Sequence, residues 1–179
     1  MERRGLIWLI SGIPGAGKST IARAICASYA KAIHIPVDDI RELVVSGHAS
    51  PIEWSDETTS QFTLARKSAA RMAADYSDES FAAVIDDVVR EEDMQQFMPH
   101  LAGRPLTKVV LVPRLEVALA RNRTRTNKAF DTGMLEPVAR RLYGSLADGC
   151  RPTDGWIALD TSDLDVDATV TEIFRRTVR

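Results

Sequence analysis

The segment from Gly12 to Ser19 constrains this chain more than any other. It reads Gly-Ile-Pro-Gly-Ala-Gly-Lys-Ser and matches the phosphate-loop pattern G-x-x-x-x-G-K-[ST]. An apolar, strand-like run precedes it and a helix-like segment follows, which is the context that the pattern requires. Glycines let a backbone turn its N–H groups inward, and a helix N-terminus adds unpaired donors and a favourable dipole. The sequence therefore predicts a nucleotide-binding protein.

The same motif predicts which residues contact the nucleotide. Lys18 reaches the β and γ phosphates, and Ser19 offers its hydroxyl to Mg²⁺, which prefers oxygen ligands. A Gly-rich turn with a solvated lysine is the alternative, and the flanking strand and helix argue against it. The predicted contacts of this loop and of the helix start are Gly12, Pro14, Gly15, Ala16, Gly17, Lys18, Ser19 and Thr20.

Apolar strand-like runs alternate with helix-like segments along the whole chain. The pattern predicts strands at 6–11, 32–37, 82–85, 109–112 and 156–159. It predicts helices at 18–29, 57–75, 91–101, 115–122, 135–146 and 166–174, and a short helix after Asp39. Such alternation implies a parallel sheet between helical layers. We expect one domain over 1–179 with a three-layer α/β/α P-loop NTPase fold, a five-stranded parallel sheet and a short basic lid at about 121–134.

Composition narrows the class of protein. The chain has 23 lysines and arginines against 25 aspartates and glutamates, so no global basic field draws it to nucleic acid or to a membrane. Its two cysteines show no metal-binding spacing, which is typical of reduced thiols in a cytoplasmic protein. No stretch approaches the roughly 20 apolar residues of a transmembrane helix. We expect a cytoplasmic protein without a membrane segment.

In open α/β sheets, ligands bind beyond the carboxyl ends of the strands, so polar residues there are the candidates for chemistry. Asp86 and Asp87 follow the apolar Val84-Ile85, an arrangement of the Walker B form that holds Mg²⁺ directly or through water. Asp87 is also a candidate contact of the acceptor. The alternative is a helix cap or a solvated turn, and the sequence leaves open which aspartate serves the metal.

Asp38-Asp39-Ile40-Arg41 follows the second predicted strand and favours phosphoryl transfer. A carboxylate here can take the proton of an acceptor hydroxyl that faces the γ phosphate. Arg41, about one helical turn later, can anchor the acceptor beside it. Either aspartate could instead simply cap a helix over 40–45. His48 and Trp54 fall in the following loop, where the acceptor pocket would have its wall.

The run from Arg121 to Lys128 concentrates four cations within eight residues. A solvated charge run is the ordinary explanation. After the fourth strand of a phosphate-loop kinase, however, arginines can close over the nucleotide and neutralise the transferring phosphoryl group. We expect this run to form a lid over the nucleotide.

These motifs together resemble the small P-loop kinases of the chloramphenicol phosphotransferase, zeta-toxin and polynucleotide kinase group. Val37-Asp38, the Ile85-to-Val88 segment and Asp160-Thr161 are similar to elements of chloramphenicol phosphotransferase. Asp38 to Arg41 and the lid run are similar to phage-type polynucleotide kinase. The resemblance implies that Asp38 is the general base and that Arg41 contacts the acceptor. It also implies that Arg125, with Arg121 close by, reaches the ATP phosphates and assists catalysis. The segment 46–60 matches neither family.

The predicted function is an ATP- and Mg²⁺-dependent kinase that phosphorylates a hydroxyl of an antibiotic-, nucleoside- or sugar-like small molecule. A polynucleotide 5′-hydroxyl kinase is the first alternative, and a nucleotide-dependent binding or regulatory ATPase is the second. Asn127-Lys128-Ala129-Phe130 lacks the aspartate of a guanine-reading motif, and Asp86-Asp87-Val88 lacks the Asp-Glu pair usual in motor ATPases. The sequence leaves the oligomeric state and the identity of the acceptor open.

Overall fold

A central parallel sheet organises the computed structural model, which describes residues 4–123 and 135–177. Its strands are β1 (Ile7–Gly12), β2 (Ala32–Pro36), β3 (Ala82–Asp87), β4 (Leu106–Leu111) and β5 (Trp156–Leu159). The α-helices are α1 (Lys18–Ala27), α2 (Val37–Glu42), α3 (Asp56–Asp78), α4 (Met98–Leu101), α5 (Leu115–Arg123), α6 (Glu136–Gly149) and α7 (Val166–Thr177). Short 3₁₀ turns lie at Glu91–Gln96 and Pro152–Asp154.

The strand order is β2-β3-β1-β4-β5, with every neighbouring pair parallel. The predicted five-stranded parallel sheet with flanking helices is therefore confirmed. Strand β1 lies at the centre, and all of its residues are buried. Because helices cover both faces, β1 and β3 read as continuous apolar runs and do not alternate with polar residues. The phosphate-loop segment leaves the sheet from its central strand.

Opposite faces of the sheet pack against different helices. Trp8 of β1 meets the Phe174 ring of α7 edge-on at 5.5 Å and donates from Nε1 to the Tyr29 hydroxyl, just beyond α1. Alanines on α3, among them Ala69 and Ala73, are fully buried on the other side. Small residues let that helix approach the sheet closely. Strand residues of even number in β1 and β3 thus face α1 and α7, and those of odd number face α3.

Three differences from the sequence-based prediction change how the structure is interpreted. Strand β3 continues through Asp86 and Asp87, so both aspartates belong to the strand and do not follow it. Asp38 and Asp39 occupy the first turn of α2, whose N-cap position is Pro36, so neither is the N-cap residue. The prediction of one helix over 91–101 is wrong, because the segment is a 3₁₀ turn followed by the short α4.

Pro99 explains that break. A proline lacks the backbone N–H and clashes with the carbonyl four residues earlier, so it ends a helix that would run through it. In the structure Pro99 lies in the first turn of α4, where its missing donor is not needed.

Within residues 4–123 and 135–177, none of the helices has the length and apolarity needed to cross a membrane.

Candidate active site

The phosphate loop connects β1 to α1. Gly15 and Gly17 have φ values of 82° and 95°, a region that side-chain-bearing residues rarely adopt. Gly17 is also the N-cap residue of α1 and ends the turn in the left-handed conformation. Lys18 Nζ donates to the Ile13 carbonyl oxygen at 3.3 Å, so its ammonium group reaches back across the loop. The segment has the backbone shape and the charge needed to receive phosphates.

Helix α5 packs directly against this loop. A Cβ atom added to Gly15 would lie 2.1 Å from the Ala118 carbonyl oxygen and 3.0 Å from the Asn122 Cβ. Close backbone approach is thus a second reason for glycine at this position. From the same helix, Arg121 Nη2 donates to the Thr161 carbonyl oxygen at 2.9 Å, on the connection between β5 and α7. Arg121 therefore lies on the helix that flanks the loop, whereas Arg125 and the predicted lid residues 124–134 lie outside the described residues.

Asp86 faces the side of the sheet that carries α1. It pairs with Ile10 of β1 and Pro36 of β2, and its Oδ2 lies 2.6 Å from Nε2 of His34. Its carboxylate is largely buried, and no described residue forms a hydrogen bond with the other oxygen, Oδ1. Since Ser19 lies in the first turn of α1, Asp86 belongs to the same layer as that hydroxyl.

Asp87 faces the opposite side of the sheet, and both of its carboxylate oxygens accept hydrogen bonds. Its Oδ2 accepts from Nε of Arg66 on α3 at 2.6 Å, and its Oδ1 accepts from the Val88 N–H at 2.7 Å. Arg66 also donates from Nη1 to Asp93 at 3.2 Å and from Nη2 to the Val88 carbonyl oxygen at 2.9 Å. Burial raises the pKa of the Asp87 carboxyl; the Arg66 guanidinium opposes this rise, and the negative charge of Asp38 adds to it.

The pair Asp86 and Ser19 fits a magnesium ion that arrives with a nucleotide. Both supply oxygen atoms, and Mg²⁺ in such sites takes its remaining ligands from phosphates and water. Among the described residues, no group of three or more histidine, cysteine, aspartate or glutamate side chains is placed to hold a metal ion alone. The donor set therefore suits an ion that takes its remaining ligands from a nucleotide.

Asp38 is exposed in the first turn of α2, at the end of β2. Pro36 pairs with Asp86, so Asp38, two residues beyond Pro36, and Asp87 lie at the same end of two neighbouring strands. The negative charge of Asp38 raises the pKa of Asp87. Asp39, also exposed, follows Asp38 in the same turn. The structure thus places Asp38, which follows β2, and Asp87 at the same edge of the sheet, and β3 is adjacent to the strand that leads into the phosphate loop.

Arg41 is 5% exposed and does not extend into solvent. Its Nη1 donates to the Ala49 carbonyl oxygen at 2.7 Å, and its Cζ lies 4.7 Å from the centroid of the Phe62 ring. The buried Nε has no hydrogen-bond acceptor among the described residues. Arg41 therefore stabilises the loop between α2 and α3. Its predicted contact with an acceptor stays a prediction.

The two loop residues predicted as pocket wall differ in their surroundings. Trp54 stacks on Phe62 with ring centroids 5.3 Å apart and planes 10° from parallel, and its Nε1 donates to Thr59 Oγ1 at 2.8 Å. It nevertheless stays 54% exposed. His48 is exposed next to Ala49, the residue whose carbonyl oxygen Arg41 holds. The structure brings Trp54 and Arg41 to the same phenyl ring.

Sequence reasoning missed Arg66, Phe62 and His34 as residues of this region. Their partners lie far away in sequence, for example 52 residues between His34 and Asp86. The register of β2 and β3 brings His34 to Asp86, and the packing of α3 on β3 brings Arg66 to Asp87. Ser11 was missed for the same reason, although its hydroxyl donates to the Val89 carbonyl oxygen at 2.6 Å and accepts from the Val89 N–H at 2.9 Å.

Comparison with known families decides the classification. The model of the AAA domain family matches residues 7–143, which is more than half of the chain and includes the phosphate loop, α2 and the end of β3. The chain belongs to the AAA domain family. Among curated proteins, no sequence matches it significantly. The narrower chloramphenicol phosphotransferase group is not the family that the match identifies.

Solved structures share the whole fold at low sequence identity. A thymidylate kinase from Candida albicans is 13% identical, with a TM-score of 0.72 and coverage of 98% of this chain and 92% of its own. An APS kinase from Mycobacterium tuberculosis, solved with AMPPNP and APS, is 17% identical with a TM-score of 0.68 and coverage of 99% and 100%. A gluconokinase from Sinorhizobium meliloti 1021 is 15% identical with a TM-score of 0.62 and coverage of 98% and 92%. At these identities the likeness concerns the fold alone.

Proposed function

We propose that this protein is an ATP- and Mg²⁺-dependent kinase that transfers the γ-phosphoryl group to a hydroxyl of a small molecule. The observation that carries the proposal is the position of Asp38. An exposed carboxylate at the end of β2 lies near Asp87 at the end of β3, next to the strand that leads into the phosphate loop. This is where a base must lie to take a proton from a hydroxyl that faces the γ phosphate.

We assign binding of the ATP phosphates to the phosphate loop and its flanking helices. The backbone N–H groups of the loop and the ammonium of Lys18 bind and orient the phosphates. Ser19 and Asp86 would hold the magnesium ion, which would supply positive charge to neutralise the charge that develops on the phosphates. Hydrogen bonding of Asp86 Oδ2 to His34 orients the carboxylate so that Oδ1 points away from that partner. The choice of Asp86 over Asp87 rests on the face that each presents.

The acceptor side is assigned to α2 and to the start of α3. Asp38 accepts the hydroxyl proton as the oxygen attacks phosphorus in line with the leaving group. Asp87, held by Arg66, keeps the end of β3 fixed and borders the position of the acceptor. Arg41 supports the loop that carries His48 and Trp54. Arg121 and Arg125 are proposed to contact the phosphates from the lid side.

The known proteins with this fold support a small acceptor. Three of them are a thymidylate kinase, an APS kinase and a gluconokinase, and each name states a small-molecule substrate. The APS kinase was solved with AMPPNP, an ATP analogue, which supports ATP as the donor. The sequence resemblance to chloramphenicol phosphotransferase points the same way. A nucleic-acid 5′-hydroxyl would instead need a cationic track, and the described acceptor side is acidic.

The proposal is tested by following phosphoryl transfer from radiolabelled Mg-ATP. The acceptor panel contains nucleosides, sugars, aminoglycoside and phenicol antibiotics, and an oligonucleotide with a free 5′-hydroxyl. Label should move to a small molecule, and Lys18→Ala should abolish the transfer, because the phosphates lose their main cation. Label on the oligonucleotide, with none on the small molecules, would support a polynucleotide kinase instead. Slow ATP hydrolysis that no acceptor stimulates would reject the kinase in favour of a nucleotide-dependent binding module.

A further inference from the structure

Three large apolar side chains lie exposed in the segment that joins Asp38 to helix α3. Leu43 is 76% exposed, Val45 is 97% exposed and Trp54 is 54% exposed. Single exposed apolar residues are ordinary, but several in one short segment beside a candidate active site mark a surface that contacts another molecule. The question is which chemistry that surface recognises.

Trp54 has a fixed position despite its exposure. One face of its ring stacks on Phe62, and its indole N–H is engaged by Thr59. Phe62 in turn lies under the guanidinium of Arg41, one helical turn beyond Asp38 on α2. A continuous series of contacts therefore runs from the helix of the proposed base to the exposed indole. A ligand ring that stacks on Trp54 would need little rearrangement of the protein, which favours affinity.

The loop behind this aromatic surface is also held in place. Gln61 accepts from the Ala49 N–H at 3.0 Å and donates to the Gly47 carbonyl oxygen at 2.8 Å. Thr58 donates from Oγ1 to the Ser50 carbonyl oxygen at 3.0 Å. With the bond from Arg41 to Ala49, these contacts tie the loop to α2 and α3. The surface is a preformed wall and not a loose loop.

The segment that forms the wall carries predominantly negative charges. Between residues 38 and 57 the sequence has six carboxylates and a single cation, Arg41. Arg41 is buried and directed to Ala49, and Arg66 is paired with Asp87 and Asp93. An anionic acceptor would be repelled here, and it would find neither of these two guanidiniums fully available. A neutral or cationic acceptor meets no such penalty.

We infer that the acceptor is an uncharged or cationic hydroxyl compound whose planar apolar ring stacks on Trp54. This inference rests on the proposed kinase function and narrows its substrate class. The inferred acceptor therefore differs in charge from thymidylate and gluconate, which are anions. The indole would supply ring recognition, the acidic surroundings would exclude anions, and Asp38 would receive the proton of the hydroxyl.

Binding is measured first, independently of phosphoryl transfer, through acrylamide quenching of tryptophan fluorescence with Mg-ADP present. The chain has three tryptophans, and Trp8 and Trp156 are each 2% exposed, so the quencher reports on Trp54. The probes are three matched pairs: thymidine and thymidylate, phenylalaninol and phenyllactate, glucose and gluconate. Thymidine and phenylalaninol should protect Trp54, at concentrations at least about tenfold below their anionic partners. Glucose, which lacks a planar ring, should protect less than either.

Variants then test the ring contact in the transfer reaction. Trp54→Ala should raise the KM of the best ring-bearing acceptor about tenfold with little change in kcat, because a stacked ring pair is lost. Trp54→Phe keeps an aromatic face and should recover most of the affinity. Met72→Ala is the matched control, since Met72 is 39% exposed and lies almost three turns along α3 from Phe62. It should leave KM unchanged.

Two outcomes would overturn the inference while leaving the kinase intact. One is Asp38-dependent transfer to thymidylate, gluconate or phenyllactate in preference to their uncharged or cationic partners. The other is a KM in Trp54→Ala that equals that of Met72→Ala. Protection of Trp54 by thymidine or phenylalaninol without any transfer of phosphate would have the opposite meaning. Recognition of the ring would then stand, and the proposed kinase activity would fail.

Discussion

At the scale of single residues, Arg66 and Asp87 form a buried ion pair that ties α3 to the end of β3. Breaking such a pair from one side leaves a charge without compensation in a medium that solvates it poorly. Asp87 has both of its oxygens engaged, so its partners determine where the carboxylate lies. The pair therefore matters more for the geometry of the site than surface ion pairs do.

Arg66→Met should lower the free energy of unfolding by about 3–5 kcal/mol. Urea unfolding of the free protein measures it. The double variant Arg66→Met with Asp87→Asn should recover part of the loss, since no buried charge then remains. Arg114→Met is the control, because Arg114 and Asp163 form an exposed pair that should contribute about 1 kcal/mol or less. Equal losses in Arg66→Met and Arg114→Met would contradict this account of the buried pair.

Gly15 and Gly17 of the phosphate loop both have a positive φ, but only Gly15 also lies in close contact with α5. Alanine at each position therefore tests a different effect. Gly15→Ala should lower nucleotide affinity at least about tenfold and destabilise the fold by about 1–3 kcal/mol, because its Cβ would collide with the carbonyl of Ala118. Gly17→Ala meets no atom within 4 Å and suffers only the cost of a positive φ. Binding of a fluorescent ATP analogue and urea unfolding measure both effects. Gly15→Ala should lower nucleotide affinity and stability more than Gly17→Ala does. A larger loss in Gly17→Ala would mean that the contact of Gly15 with α5 is unimportant.

The sequence predicts some of these residues and not others for a physical reason. Gly12 to Ser19 is a contiguous motif, so its shape depends on local backbone conformation and can be predicted without the fold. The partners of Arg66 and His34 are 21 and 52 residues away. Packing of α3 on β3 brings the first pair together, and the register of β2 and β3 brings the second. The sequence predicted that Arg41 contacts the acceptor, and this stays a prediction. Its burial against Phe62 depends on how α2 packs on α3, which a local pattern does not encode.

At the scale of elements, the strands and long helices follow from apolar periodicity, and the short elements do not. Each of the five predicted strands exists, although β3 and β4 are longer than their apolar cores. The helix predicted over 91–101 breaks because Pro99 cannot lie inside a continuous helix. Local sequence had also suggested a cap role for Asp38 or Asp39, yet α2 begins at Val37. At the ends of helices and strands, tertiary contacts decide the conformation even where the local sequence favours another one.

Helix α7 offers a pH-dependent test. Hydrogen bonds from Arg175 and Arg176 lower the pKa of Glu172 from 4.5 to about 2. A carboxyl with a lowered pKa stabilises the fold above its unfolded pKa and loses that contribution as the pH falls toward the folded value. Glu172→Gln should therefore be slightly less stable than the parent at pH 7, and the gap should close between about pH 4.5 and 2. Urea midpoints across this range measure it, and a gap that does not change with pH would contradict the assignment.

At the scale of the whole molecule, the strand order explains why the candidate site forms. Strand β1 is central, with β3 on one side and β2 beyond it, so the phosphate loop, Asp86-Asp87 and Asp38 emerge at one edge of the sheet. The sequence predicted the parallel sheet and this convergence. It did not fix the order of strands, nor which aspartate faces α1, because both depend on pairings between distant segments.

Binding of nucleotide should stabilise the whole chain. A ligand that binds only the folded state at a hundred times its Kd adds about 2.7 kcal/mol to the free energy of unfolding. Mg-ATP should therefore raise the Tm of the parent protein and of Asp38→Asn, since Asp38 is assigned to the acceptor and not to the phosphates. Lys18→Ala should show little or no rise. A rise in Lys18→Ala as large as that of the parent would place the nucleotide elsewhere.

The most direct test of the central claim compares Asp38→Asn with Asp39→Asn in acceptor-dependent phosphoryl transfer. The two residues are adjacent, exposed and alike in charge, but Asp38 is the one whose charge acts on Asp87 at the end of β3. Loss of a general base should lower kcat about a hundredfold or more in Asp38→Asn, with unchanged affinity for Mg-ATP. Asp39→Asn should stay within about threefold of the parent. Comparable activity in both variants would contradict the assignment of Asp38 as the base, and with it the proposed mechanism.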